Sequence, residues 1–293
     1  MTAVRFFNHL LGSNPLDHTA IAVAAEAAGF DGIALSDHVI HPQTITSAYP
    51  YSPDGKPIYS PDENWPDPWV AVGAMSAVTE RVEFITNVYV LPSRNPFVVA
   101  KAVGTAAFLS RGRVRLGVGA GWMKEEFDAL GQPFAGRGRR MDEMIDVLRL
   151  LWTGEVVEHH GEHFDFDPLH IAPAPPAPVP IYVGGESDVA FKRAATRGDG
   201  WISVYNTVDE LRVNCEKLQR RREDAGTADR PFDIVASPLA LPTPDAVEEM
   251  AAMGVTTFAT SAWIAAGKTS VGRSEAIDLV ASFAERFIAP LRG

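Results

Sequence analysis

Short apolar segments with β-strand character alternate along this chain with longer segments of helical periodicity. The predicted strands lie near residues 4–7, 32–36, 82–88, 114–118, 181–183, 200–203, 232–236 and 256–259. This alternation is typical of a parallel sheet whose strands are connected by crossover helices. We therefore predict an α/β fold, a (β/α)8 TIM barrel, with residues 1–293 forming a single domain.

Two long segments interrupt the alternation. Residues 41–66 follow the second strand and are rich in Pro, Tyr, Ser and Asp, whereas residues 154–180 separate the fourth strand from the fifth. Because a loop of such length usually has a function, we expect the first insertion to cover the barrel mouth and contact substrate. The alternative is a plain surface excursion. In the second insertion, the proline-rich run at 172–178 is expected to be extended and rigid.

The charge and the cysteine count indicate which partners the protein can bind and in which compartment it is found. The formal net charge is −11, from 37 acidic and 26 basic residues, and it disfavours binding to nucleic acid or to anionic membranes. The single cysteine, Cys215, cannot form an internal disulfide, which indicates a reducing compartment. No apolar leader is apparent, nor any run near about 18 apolar residues. We therefore expect a soluble cytoplasmic protein with no nucleic-acid and no membrane partner.

Polar residues and glycines are concentrated where predicted strands end. Asp37 and His38 follow the second strand, Asn87 and Val88 end the third, and residues 117–121 (GVGAG) end the fourth. The carboxyl ends of barrel strands meet at one mouth, so these residues are expected to converge on one pocket. The imidazole of His38 can take or give a proton near neutral pH, although a capping or solvated role is the alternative.

The glycine run at 117–121 superficially suggests a dinucleotide-binding loop. Its third glycine falls one position early for the G-x-G-x-x-G fingerprint, and the run follows the fourth strand instead of the first. We interpret these glycines as positions where a flat molecule can lie against the backbone.

Gly184, Gly185 and Ser187 lie between the fifth strand and the next helix. Free backbone N–H groups at the start of a helix can hold a phosphate group. The alternative is a tight turn in which Ser187 serves only as the helix N-cap.

Residues 159–163 (HHGEH) contain side-chain types that bind zinc or iron. The segment lacks the i, i+4 histidine pair of a helical zinc motif, and no ligand-rich partner segment is evident. We therefore predict no metal site, which also weakens the hypothesis of a barrel metallohydrolase.

In combination, these motifs resemble the bacterial luciferase-like superfamily of flavin- and deazaflavin-dependent oxidoreductases, especially the branch that uses coenzyme F420. The matching segments are residues 35–38, 86–88, 91–96, 117–122, 125–127, 137–143, 151–152, 183–185 and 199–201. The resemblance implies an eight-stranded barrel with a long excursion between its later strands. It also implies a non-proline cis peptide bond between Asn87 and Val88.

The resemblance assigns roles to residues at the mouth. It implies that Asp37, His38, Ala120 and Gly121 line the tricyclic ring, that Asn87 and Val88 support one face of it, and that Gly184, Gly185 and Ser187 bind the cofactor's phosphate. His38 would then handle the proton of the reaction. Superfamily members often form dimers, so a homodimer is expected.

The implied reaction is reversible hydride transfer between coenzyme F420 and a small organic substrate. With FMN in the same pocket the chain would instead be a monooxygenase, and a barrel that binds cofactor without catalysis is a third possibility. Trp122 stands where sugar-phosphate dehydrogenases of this superfamily carry a glutamate. An apolar substrate or an enone is therefore expected.

Overall fold

The computed structural model describes residues 4–239 and 241–292 as a closed parallel barrel surrounded by helices. Its strands are β1 (Arg5–His9), β2 (Gly32–Leu35), β3 (Glu83–Thr86), β4 (Tyr89–Val90), β5 (Val114–Gly119), β8 (Ile181–Gly184), β9 (Gly200–Ile202), β10 (Asp233–Ala236) and β11 (Thr257–Thr260). They pair in the order β3-β2-β1-β11-β10-β9-β8-β5-β4, and β3 also pairs with β5, which closes the sheet. Because β4 continues the position of β3, these nine segments fill eight positions, and the TIM-barrel prediction is confirmed.

Helices follow the strands around the outside of the barrel. They are α1 (His18–Ala28), α2 (Pro68–Ser76), α3 (Pro96–Leu109), α4 (Lys124–Ala129), α5 (Arg137–Leu151), α6 (Asp188–Arg197), α7 (Val208–Asp224), α8 (Pro244–Ala252), α9 (Ala262–Ala265), α10 (Arg273–Phe283) and α11 (Ala289–Arg292). Several of these helices begin at residues that favour a helix start. Asp67 and Asn95 cap helices α2 and α3 with their side chains, and Pro68 and Pro96 open them.

Both insertions are present at the predicted places. The first has no regular secondary structure between β2 and α2. The second contains an antiparallel hairpin of β6 (Val157–His160) and β7 (Asp165–Leu169), which the sequence analysis did not predict as strands. Their residues are mostly exposed or half-buried, so the periodic signal of a buried strand is weak there. Among the described residues, no helix combines the length and apolar character needed to cross a bilayer.

The interior of the barrel is apolar in its middle and charged at its lower end. The middle is filled by side chains from most of the strands: Phe7, Ala34, Ile85, Tyr182, Ile202, Val235 and Ala259. Near the amino ends of the strands, Arg115 pairs with Glu83 at 2.5 Å and Arg5 pairs with Asp233 at 3.0 Å. The lower end is therefore filled, and the opposite mouth is where a ligand can enter.

Gly117 sits where two strands approach closely. A Cβ added to it would lie 1.9 Å from the carbonyl oxygen of Thr86 and 2.6 Å from Cδ1 of Ile202. We expect Gly117→Ala to lower the free energy of unfolding by about 2 kcal/mol or more, because overpacking a rigid interior shifts backbone and side chains. Urea denaturation followed by circular dichroism measures the change.

Gly272→Ala is the matched control. A Cβ at Gly272 meets no atom within 4 Å, and the residue serves as an N-cap with extended backbone. Its unfolding free energy should change by less than about 1 kcal/mol. Equal losses in the two variants would contradict the packing assigned to Gly117.

Candidate active site at the barrel mouth

His38 follows the carboxyl end of β2 and is held through both ring nitrogens. Its Nδ1 lies 3.1 Å from Oε2 of Glu126, and its Nε2 lies 3.1 Å from the hydroxyl of Tyr59. The side chain of His38 is 9% exposed and that of Glu126 is 1% exposed. The imidazole is thus held, largely shielded from solvent, between a helix and the first insertion.

Aromatic rings surround this imidazole. The ring centroids of Tyr59, Trp65 and Trp122 lie 5.3, 5.2 and 6.3 Å from that of His38. Tyr49 packs edge-on against Trp122 at 5.2 Å. Three of these four side chains come from the first insertion, which therefore covers His38 as expected; its contact with substrate stays a prediction.

Two adjacent glutamates at the start of α4 hold the chain that follows β2, and Glu125 anchors the insertion itself. Oε1 of Glu126 accepts a hydrogen bond from the amide of Val39 at 2.7 Å. Oε1 of Glu125 accepts bonds from the Thr46 amide at 2.7 Å, the Thr46 hydroxyl at 2.6 Å and the Ser47 amide at 3.0 Å. Burial alone would raise the pKa of each carboxyl, but these hydrogen bonds, with that of His38 on Glu126, lower both pKa values, that of Glu125 to about 2.

A third carboxylate fastens the far end of the insertion. Oε1 of Glu63 accepts a hydrogen bond from the amide of Gly12, just after β1, at 3.0 Å. The insertion is therefore attached to the barrel both before and after its tyrosine-rich part.

Asp37 connects the end of β2 to the end of the third barrel position. Its Oδ1 accepts a hydrogen bond from Nη2 of Arg94 at 2.7 Å, and its Oδ2 accepts one from the Val90 amide at 3.0 Å. Burial raises the pKa of Asp37, while Arg94 and the Val90 amide oppose that rise. Both carboxylate oxygens are thus engaged within the protein, and the cofactor contact of Asp37 stays a prediction.

The peptide bond between Asn87 and Val88 is cis, as the resemblance implies. It separates β3 from β4 in what the sequence predicts as one strand. The isopropyl group of Val88 packs against two glycines at the mouth. A Cβ at Gly119 would lie 2.6 Å from Val88 Cγ2, and one at Gly184 would lie 2.7 Å from Val88 Cγ1.

The space beside Gly121, in the same run of glycines, is also filled by side chains of this chain. A Cβ at Gly121 would lie 2.6 Å from Cγ1 of Val90 and 2.7 Å from a ring carbon of Phe127. On the side where a Cβ would lie, these glycines make room for side chains and backbone of this chain. That a flat molecule lies against their backbone stays a prediction. That Ala120 and Gly121 border a bound ring through their backbone stays a prediction.

A second histidine, His9, is connected to the cis peptide through the hydroxyl group of Ser36. The Leu11 amide donates to Nδ1 of His9 at 3.1 Å, and Nε2 lies 3.1 Å from the Ser36 hydroxyl. That hydroxyl donates to the carbonyl of Asn87 at 3.5 Å. Burial lowers the pKa of His9 to about 4, so the ring is neutral at physiological pH.

At the predicted phosphate site, Ser187 serves as an N-cap. Its hydroxyl accepts a hydrogen bond from the Ala190 amide at 3.2 Å, which is the alternative considered for this turn. Gly185 has φ +114°, a conformation that favours glycine, and its carbonyl accepts a bond from Nε1 of Trp201 at 2.8 Å. Phosphate binding by Gly184, Gly185 and Ser187 stays a prediction.

The mouth has the chemistry of a site for a planar heterocycle. Within the part of the chain that the structure describes, the buried Nε1 of Trp65 and the buried Oδ1 of Asn206 have no hydrogen-bond partner. Trp65 lies beside His38, and Asn206 follows β9 on the same side of the barrel. The free donor of Trp65, beside the aromatic rings, and the free acceptor of Asn206, after β9, suit a ligand that carries carbonyl and N–H groups. These residues fit a flavin-type ring.

The histidines of the HHGEH segment lie outside this mouth, on the hairpin. His159 pairs with Glu143 at 3.2 Å and His160 pairs with Asp165 at 2.5 Å. Over residues 4–239 and 241–292, no three or more His, Cys, Asp or Glu side chains are grouped so that they could hold a metal ion.

Sequence reasoning found His38 but missed its partners Glu126, Tyr59 and Trp65. Glu126 lies 88 residues from His38, and no local pattern links the two. The only signals available were the inclusion of Glu126 in the segment 125–127 and the richness of the insertion in tyrosine.

Comparison with known proteins places the chain in a family. A family model described as luciferase-like monooxygenase matches residues 2–283. An uncharacterised protein of Mycobacterium tuberculosis (strain ATCC 25618 / H37Rv) is 41% identical over 236 residues, which cover 80% of this chain and 81% of that protein. The F420-dependent glucose-6-phosphate dehydrogenase of Amycolatopsis mediterranei (strain U-32) is 32% identical over 225 residues, which cover 75% of this chain and 62% of the dehydrogenase.

Solved structures share the fold at low sequence identity. The coenzyme F420 dependent tetrahydromethanopterin reductase from Methanopyrus kandleri superposes with a TM-score of 0.75 over 99% of both chains, at 16% identity. An F420-dependent secondary alcohol dehydrogenase in complex with an F420-acetone adduct also gives 0.75, over 98% of this chain and 99% of that one, at 19% identity. With the family model matching nearly the whole length, this chain belongs to the luciferase-like monooxygenase family.

Proposed function

We propose that this protein is an oxidoreductase that transfers hydride between coenzyme F420 and a small, apolar organic substrate. The observation that carries the proposal is the shielded imidazole of His38, placed at the barrel mouth of a luciferase-like protein and surrounded by aromatic rings. The similarity to a dehydrogenase named as F420-dependent, at 32% identity, favours the deazaflavin over FMN.

When bound, the deazaflavin supplies a ring carbon that accepts or releases hydride. Asp37, Ala120 and Gly121 are proposed to border this ring, with Asn87 and Val88 behind it. His38 takes or gives the proton that accompanies the hydride. Gly184, Gly185 and Ser187 are proposed to hold the phosphate at the start of α6.

The aromatic surroundings of His38 determine the proposed substrate class. Tyr49, Tyr59, Trp65 and Trp122 present mainly apolar rings with few hydrogen-bonding groups. Such a wall favours apolar molecules and excludes water from the reacting atoms. We place the reaction in the cytoplasm, where an unpaired cysteine stays reduced.

We also propose that the protein is a homodimer joined through α2 and α3. Val70 on α2 is 74% exposed, and Val98 and Leu109 on α3 are 66% and 60% exposed. Val98 and Leu109 lie eleven positions apart, about three helical turns, so they share one face of α3. Helices α2 and α3 pack side by side, and we propose that their exposed apolar side chains form the surface that a second copy covers.

Cofactor binding tests the choice of coenzyme. We expect purified protein, titrated anaerobically with F420 and separately with FMN, to bind F420 with a change in cofactor fluorescence and to bind FMN weakly. Tight FMN binding without F420 binding would favour the monooxygenase alternative. Binding of neither would refute the enzyme proposal.

The same titration tests the phosphate site. Ser187→Asp keeps a good N-cap but adds a negative charge, so F420 affinity should fall at least about tenfold, or about 1.4 kcal/mol. Ser187→Asn also caps the helix, adds no charge and can donate an N–H to the phosphate, so its F420 affinity should fall less than that of Ser187→Asp. Equal binding by all three proteins would remove Ser187 from the site.

His38→Ala tests the proton-handling role. We expect F420 affinity to be retained and turnover to fall on the order of 10² to 10⁴-fold, the usual contribution of a general acid or base. Turnover is measured with a panel of small alcohols and cyclic enones by following F420 absorbance. His160→Ala, on the exposed hairpin, is the control and should be fully active; unchanged turnover in His38→Ala would remove His38 from the mechanism.

Sedimentation velocity tests the dimer. We expect the wild type to sediment as a dimer and Val98→Glu to sediment as a monomer, because the substitution would bury an unpaired charge in the interface. Val156→Glu changes an equally exposed valine outside α2 and α3 and should leave the dimer intact. A monomeric wild type would contradict the proposal.

A further inference from the structure

We propose that Glu126 is a positioning residue that determines which nitrogen of His38 carries the proton in the neutral ring. Glu126 keeps the hydrogen on Nδ1, so that Nε2 faces the mouth as a proton acceptor. The inference deepens the proposed function, on which it rests for the catalytic use of His38.

The carboxylate of Glu126 can only accept hydrogen bonds. Its Oε1 is occupied by the Val39 amide at 2.7 Å and its Oε2 by Nδ1 of His38 at 3.1 Å. The carboxyl is buried, and its pKa is lowered despite that burial, so it is ionised at neutral pH. A carboxylate has no hydrogen to donate, and the hydrogen between the two groups therefore belongs to Nδ1.

The other ring nitrogen of His38, Nε2, is an acceptor. In a neutral imidazole with hydrogen on Nδ1, Nε2 has a free lone pair. The Tyr59 hydroxyl lies 3.1 Å from it, and burial raises the pKa of Tyr59, so this phenol keeps its proton and donates to Nε2. The position of the Tyr59 oxygen is thus one where an O–H group meets a proton acceptor.

This arrangement suits the oxidation of an alcohol. A substrate hydroxyl in the place of the Tyr59 hydroxyl would give its proton to Nε2 while its carbon loses hydride and the C=O bond forms. The proton and the hydride are then both accounted for, the hydride by the coenzyme of the proposed function. With hydrogen on Nε2 instead, the neutral ring could not accept this proton.

His9 provides an internal contrast at the same mouth. Its Nδ1 accepts a hydrogen bond from the Leu11 amide at 3.1 Å, so the hydrogen of this neutral ring is on Nε2, toward Ser36. Two neighbouring histidines are thus expected to have opposite tautomers. The neighbour of Glu126 provides a second contrast, because Glu125 bonds to Thr46 and Ser47 and not to an imidazole.

Glu126→Gln separates the two donors that the carboxylate serves. The Val39 amide can only donate, whereas Nδ1 of His38 can also accept, so the oxygen of the substituted side chain stays on Val39 and the NH₂ group faces Nδ1. Nδ1 must then accept, and the hydrogen moves to Nε2. The substitution preserves the shape of the side chain while it reverses the tautomer.

Nitrogen-15 NMR of histidine-labelled protein without cofactor, at a pH where the ring is neutral, reads the tautomers directly. We expect Nδ1–H at His38 and Nε2–H at His9 in the wild type, with His38→Ala identifying the His38 signals. In Glu126→Gln, the Nδ1–H form of His38 should be lost in favour of Nε2–H, with His9 unchanged. Glu125→Gln should leave both histidines as in the wild type.

An Nε2–H tautomer at His38 in the wild type would overturn the inference without the need for any variant. An unchanged His38 in a folded Glu126→Gln protein, or an equal change in Glu125→Gln, would also overturn it. These measurements need no cofactor and no turnover, so their failure is distinct from a failure of the F420 titration.

Discussion

Pairing of β3 with β5 is the constraint on which the rest of the molecule depends. It closes a sheet that would otherwise end at the third and fourth barrel positions, and it brings residues from distant parts of the sequence to one rim. Val88, Gly119 and Gly184 belong to three different positions of the barrel and are neighbours because the cylinder is closed. Closure also separates a charged lower end, filled by ion pairs, from a mouth lined with aromatic rings.

Steric fit at this rim depends on the absence of side chains. A Cβ added at Gly119 or at Gly184 would lie within 2.7 Å of a methyl group of Val88. The side chain of Val88 therefore occupies the space that a larger residue at either glycine position would need. At Gly117, the carbonyl oxygen of Thr86 occupies the space that a side chain would need. The three positions therefore hold the third barrel strand at its observed distance from the fourth and fifth.

Much of the barrel was predictable because its signals are local. Apolar β runs, Pro at helix starts and Asp67 or Asn95 as caps are each visible in a few consecutive residues. The hairpin at 157–169 was not predicted because its strands are exposed or half-buried and so lack the apolar pattern of a buried strand.

At the site, residue types could be predicted but side-chain partners could not. His38 was found from its place at a strand end, whereas its bonds to Glu126 and Tyr59 span 88 and 21 residues and are set by tertiary packing. The glycine run shows a related physical limit. Sequence shows that a position lacks a Cβ, but not whether a ligand or the protein itself fills the space, and here Val88, Val90 and Phe127 fill it.

The attachment of the first insertion at Thr46 and at Glu63 leaves an arc of residues 48–62 that carries Tyr49 and Tyr59 and has no strand or helix of its own. Much of the wall around His38 is thus contributed by a segment outside the strands and helices that build the cylinder. Mutations in that arc are free to accumulate during evolution without disturbing the scaffold. With the substrate contact that we propose for this arc, related barrels can diverge in the molecules they accept while the strands and helices beneath stay the same.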